Sequence, residues 1–192
     1  MPERRFTKGL KSNLRDCLER MFSQEKVPLL VVSEFGRGVL SAPDWKEDTI
    51  IDVAILPKSY DKNKMFKMVA IEIEFVSSGD QIFKNFKKLL NYTNRYKYTK
   101  IGLLHLIFRE ANISKRQLVE IAKLPLLVNG GKRFFYHLYL CNEHSDLREY
   151  KAFAEDLVMK NWKFGARLFS LIEAIFGKNI FNAGKFASRM SW

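Results

Sequence analysis

The chain has 192 residues, a formal net charge of +12 and 47% apolar side chains. That length suits one domain, or one domain with a helical appendage, and the apolar fraction excludes a disordered chain. The charge says nothing of fold but points to a polyanionic partner: nucleic acid first, an anionic membrane surface second.

Residues 8–24 read as an amphipathic helix, with Leu10, Leu14, Cys17, Leu18 and Met21 at helical spacing and Thr7 as the N-cap. Residues 27–35 read as a strand with Pro28 near its start, followed by a turn at Gly36 and Gly38. Residues 49–56 and 67–76 read as two further strands, joined by a polar, basic connection over 57–66. A second helix covers about 81–97, capped by Asp80, with Ile82, Phe86, Leu89, Leu90 and Thr93 as its apolar face. Residues 100–108 are almost continuously apolar, the pattern of a strand buried on both faces. A short helix at 114–123 and a short apolar run at 124–128 follow, then a hairpin-turn signal at Asn129-Gly130 and a strand at 133–141. Residues 146–192 read as helical, with breaks near Gly165, Gly177 and Gly184.

The fold class that follows is α/β: a mixed central sheet in helix-strand-strand-strand-helix-strand order, flanked by helices, with a helical C-terminal part. The first three strands can pair as an antiparallel meander, and the strand after the second helix can return through a crossover. Residues 1–145 are expected to form the α/β core, and 146–192 a helical extension packed on the same domain.

Four acidic residues stand out within these elements: Glu34, Asp52, Glu72 and Glu74. Residues two apart share a face of a strand, so Glu72 and Glu74 point one way and Ile71, Ile73 and Phe75 the other. Asp52 interrupts an otherwise apolar strand. Carboxylates inside apolar strands are costly unless compensated, and a divalent cation compensates efficiently. The plainer alternative is that Glu72 and Glu74 are the polar half of a half-solvated strand.

The segments IIDVAIL at 50–56 and VAIEIEF at 69–75 resemble the core motif of the PD-(D/E)XK, restriction-endonuclease-like nuclease superfamily. The order of elements over roughly residues 8–108 is similar to that family's core as well. The resemblance implies that Asp52 and Glu72 bind Mg2+ or Mn2+, and that the chain hydrolyses phosphodiester bonds, in DNA before RNA. Two residues depart from the motif: Ile51 stands at its Pro and Glu74 at its Lys. Glu74 could orient or deprotonate the attacking water, or it could mark an inactive descendant that only binds nucleic acid. Some members add a Glu from the first helix, but Glu19 falls opposite that helix's apolar stripe. Glu34, at the end of the first strand, is the better fourth acid.

Some relatives carry a catalytic Lys or Gln on the second helix. Gln81, Asn85 and Lys88 lie along one flank of its apolar stripe, and with Lys84 they are candidates for phosphate contacts. Lys58, Lys62, Lys64 and Lys67 are similar candidates. His105 and His137 read as core histidines, and the aromatic strand around Phe134, Phe135, Tyr136 and Tyr139 as core. Cys141 and His144 have partial zinc spacing without a second pair. Two cysteines, Cys17 and Cys141, do not make a disulfide framework and fit a reducing, cytoplasmic location. The N-terminal MPERRFTKGLK lacks a signal-peptide apolar core, and no run of 18 apolar residues occurs, so a soluble protein without a membrane partner is expected. A homodimer is compatible with this reading.

Overall fold

The strands Leu29–Phe35 (β1), Ile51–Pro57 (β2), Phe66–Glu74 (β3), Thr99–Phe108 (β4) and Phe134–Cys141 (β5) form one mixed sheet in chain order. In the computed structural model, the residues described are 2–35, 50–59, 66–75, 78–108, 113–128, 131–141 and 150–181. β1, β2 and β3 are an antiparallel meander, while β4 runs parallel to β3 and β5 parallel to β4. The helices are Pro2–Gln24 (α1), Gly79–Arg95 (α2), Lys115–Val128 (α3), Tyr150–Met159 (α4) and Trp162–Phe176 (α5), with a short 3-10 turn at Lys178–Ile180.

Alternation along the strands builds two apolar layers, one on each face of the sheet. Val53, Ile55, Ile71 and Ile73 pack with Leu10, Leu14 and Leu18 of α1 and Leu168, Leu171 and Ile172 of α5. Ala54, Leu56, Met68 and Ala70 face Phe86 and Leu89 of α2 and Leu124 of α3. Helices therefore cover both faces, which is why β4 reads as continuously apolar. The approach of α5 depends on Gly102 of β4, where a Cβ would sit 3.2 Å from side-chain atoms of Leu171 and Ile175. Ala154, Leu157 and Val158 of α4 join the same layer as α1.

Several local expectations change. α1 begins at Pro2, a residue preorganised for a first helical turn, so Thr7 lies inside the helix rather than capping it. Ser78 caps α2, its Oγ accepting from Gln81 N–H at 3.3 Å, and Asp80 sits in the first turn. The helix at 114–123 and the apolar run at 124–128 are one helix, α3, which carries Pro125 inside it. Leu126 and Leu127 of that run are 84% and 75% exposed, so they are not a core segment. Gly165 does not break the C-terminal helices. It is buried in the first turn of α5, and the break falls one turn earlier, where Asn161 caps α5 by accepting from Phe164 N–H. Gly177 does end α5, at a φ of 105° that glycine adopts without strain. Gly36, Gly38, Lys62, Lys64, Asn129, Gly130, His144 and Gly184 lie outside the described residues. No helix among the described residues is long and apolar enough to cross a membrane.

Candidate active site

The site begins where the β2–β3 pairing becomes irregular. Backbone register joins Ile55 to Val69, Ala54 to Ala70 and Val53 to Ile71. One residue further, Asp52 enters with its side chain, and its Oδ2 accepts from Ile73 N–H at 2.7 Å. The alternation of β2 slips here: Ile51 packs in the same layer as Ala54 and Leu56, not with Val53 and Ile55. On β1, Glu34 sits between Ser33 and Phe35, which pair with Val53 and Ile51. Its φ of 51° is unusual for a residue with a side chain.

The Asp52 carboxylate also meets α1. Lys11 Nζ lies 2.5 Å from Asp52 Oδ1, with both side chains largely buried. Lys11 follows Leu10 directly, on the flank of the helix's buried stripe, so its stem runs along apolar surface while its ammonium reaches the acid.

Glu72 and Glu74 share a face of β3, as strand parity requires, but that face is not solvated. They are 4% and 3% exposed. Burial pushes the Glu72 carboxyl well above the usual carboxylate range; the charges of Asp52 and Glu74 push the same way, and Lys88 and Lys11 pull back. Glu72 Oε1 is buried without a hydrogen-bond partner. Lys88, from α2, places its Nζ 3.8 Å from that oxygen and donates to the Ile50 carbonyl at 3.4 Å. Glu74 Oε1 accepts from Asn85 Nδ2 at 2.8 Å, and Asn85 Oδ1 accepts from Gln81 Nε2 at 3.1 Å. The flank of α2 carrying Gln81, Asn85 and Lys88 thus leads to the two glutamates. Lys84 lies on its outer side, where Asp80, Phe83, Lys84, Lys87, Lys88 and Asn91 line an open groove of about 540 Å³.

Behind Glu74, His105 of β4 and Tyr136 of β5 complete a buried polar row. His105 Nε2 is 3.7 Å from Glu74 Oε1, and its Nδ1 is 2.9 Å from the Tyr136 hydroxyl. Burial, aided by the Lys88 charge, lowers the His105 pKa to about 3, so the ring is neutral. Burial and the Glu74 charge push the Tyr136 phenol up, so it keeps its proton. His137, by contrast, is only half-buried and lies 3.4 Å from Ser170 Oγ of α5.

The sequence-derived set is therefore divided. Asp52, Glu72, Glu74, Asn85 and Lys88 come together, Gln81 supports Asn85, and Lys84 borders the groove. Glu34 is exposed beside the irregular pairing. Nothing in the local spacing marks Lys11, and the same spacing marks His105 and Tyr136 only as core. The signal for His105 was its isolation as the polar residue in Ile101–Phe108, a run in which every residue is buried.

Asp52 and Glu72 are the residues that could hold a hard divalent cation, with Lys11 at one Asp52 oxygen and the Ile73 N–H at the other. Among the described residues no group of three or more His, Cys, Asp or Glu is arranged to hold a metal. Mg2+ commonly takes only one or two carboxylates and fills its shell with water and phosphate oxygens. Asp52 and Glu72 would supply those carboxylates, and the Glu72 oxygen that lacks a hydrogen-bond partner in a desolvated setting is the feature a cation would satisfy. Compared with protein-family models, with curated proteins and with solved structures, the chain matches none.

Proposed function

We propose that the protein is a metal-dependent nuclease that hydrolyses phosphodiester bonds, in DNA before RNA, with a site of the PD-(D/E)XK kind. The observation that carries this reading is the Lys88 ammonium, 3.8 Å from Glu72 Oε1. β3 has Glu74 where the motif has Lys, and a lysine delivered from α2 supplies the missing cation beside the motif acid. Asp52 and Glu72 would hold Mg2+ or Mn2+, which when bound supplies Lewis-acid stabilisation of phosphate charge and an acidified water. Lys88 lies where it can neutralise a phosphate oxygen or hold water against Glu72. Glu74, oriented by Asn85, would be the base available to an attacking water. Lys84 and Lys87 border the groove that opens beside Lys88 and would position the polyanion backbone through salt-sensitive contacts.

A second reading is favoured by Glu74 itself, which is buried and bonded to Asn85: a nuclease-like fold that grips nucleic acid without cutting it. Plasmid, linear, branched and single-stranded substrates with Mg2+ or Mn2+ separate the two. The nuclease reading expects metal-dependent cleavage that Glu72→Gln and Lys88→Met abolish. Salt-sensitive binding with no cleavage of any substrate would establish the binding module.

A further inference from the structure

Strand β4 is buried along nearly its whole length, so a histidine in it must account for two ring nitrogens without water. Nδ1 of His105 is accounted for by the Tyr136 hydroxyl at 2.9 Å. Nε2 is buried and has no hydrogen-bond partner, yet it faces Glu74 Oε1 at 3.7 Å. That is the same oxygen that accepts from Asn85 at 2.8 Å. The ring is neutral, so one nitrogen carries a proton and the other a lone pair. Tyr136 retains its hydroxyl proton and can donate it to Nδ1, which leaves the ring proton on Nε2. The opposite tautomer would aim a lone pair at a buried carboxylate.

We propose that His105 is a positioning residue for Glu74: Tyr136 holds it as the Nε2–H tautomer, and that N–H and the Asn85 amide orient the carboxylate from two sides. The 3.7 Å separation is longer than a hydrogen bond, and a side-chain shift of about 0.8 Å closes it to ordinary length. Asn85 comes from α2 and His105 from β4, so the direction of the Glu74 carboxylate is set by groups from two different elements. The role rests on the reading of this end of β3 as a hydrolytic site, whereas the tautomer and the contact do not.

Two measurements test it. In kinetics, His105→Leu removes the donor and retains apolar volume, while His105→Gln keeps an N–H at similar reach. His105→Leu should lower kcat by about 10-fold or more with KM for an oligonucleotide nearly unchanged, and His105→Gln should restore most of the loss. Equal losses in the two variants, an undiminished kcat in His105→Leu, or a loss confined to KM would overturn the role. In 15N–1H spectra at neutral pH, His105 should carry its proton on Nε2, and Glu74→Gln should shift that resonance. A proton on Nδ1, or a resonance blind to Glu74→Gln, overturns the proposal even if the wild type cuts nothing. A wild type without activity but with both spectral results sinks the nuclease reading and leaves the contact standing.

Discussion

Asp52 replaces a backbone acceptor: its Oδ2 takes the Ile73 N–H at 2.7 Å just beyond the last regular pairs of β2 and β3. One carboxylate thus holds the strands together at the point where they become irregular and also presents its other oxygen to Lys11. Structural and chemical roles of Asp52 separate by substitution. Both Asp52→Asn and Asp52→Ala give up the charge that Lys11 faces, but Asp52→Asn keeps an oxygen for Ile73, so Asp52→Ala should be less stable than Asp52→Asn by about 1–3 kcal/mol in urea unfolding, the cost of the orphaned N–H. Calorimetry should show Mg2+ affinity falling at least about 10-fold in both variants. Equal metal affinity in wild type and Asp52→Asn would remove Asp52 from the metal site.

Lys11 competes with any cation for Asp52. Replacing its ammonium by an apolar side chain of similar length, Lys11→Met, removes a positive charge beside the proposed dication site. Divalent affinity should rise several-fold, on the order of 1 kcal/mol at high effective dielectric. A fall in affinity would show that Lys11 organises Asp52 for binding instead of opposing it.

Glu74→Gln preserves shape and removes the proposed base. Cleavage should fall by on the order of 100-fold, the usual consequence of losing a general base, while DNA binding survives. Glu74→Lys restores the residue usual in the motif but places a second cation near Lys88 and forfeits the bond from Asn85. No rescue is expected. If the wild type is inactive and Glu74→Lys cuts DNA, Glu74 is an inactivating change and the binding module is correct. Full activity in Glu74→Gln would leave the carboxylate without a chemical role.

His105 should make the protein acid-sensitive. Its folded pKa, about 3, lies below the unfolded value near 6.5, so the unfolded chain takes up a proton that the native state refuses. Its contribution is complete above pH 6.5 and is lost as pH falls toward 3, up to on the order of 5 kcal/mol. Glu72 acts with the opposite sign: its raised pKa lets the native state bind a proton first, which relieves a burial cost on acidification. Comparing wild type with His105→Gln isolates the histidine. The stability difference between the two should shift in favour of the variant from pH 7 to pH 4, and parallel pH profiles would contradict a neutral buried ring.

Strand parity is a local property of the chain, and it was legible without any tertiary information. The spacing of Glu72 and Glu74 puts them on one face, with Ile71 and Ile73 on the other, whatever the sheet packs against. The α2 stripe of Ile82, Phe86, Leu89 and Thr93 follows as directly from helical spacing, and these residues are buried in the structure. The β4 run at 100–108 likewise announced two covered faces. Whether the face carrying Glu72 and Glu74 meets water or protein was open, because an alternating strand satisfies both readings. Only the packing of α2 decided it, by burying both carboxylates and bringing Asn85 and Lys88 to them. Lys11, His105 and Tyr136 stand 41, 31 and 62 residues from Asp52, Glu74 and Glu74 in the chain, and nothing in their local spacing marks them as neighbours of an acid. Periodicity specifies which way a side chain leaves its own element; strand register and helix rotation, set by the whole core, choose what it meets.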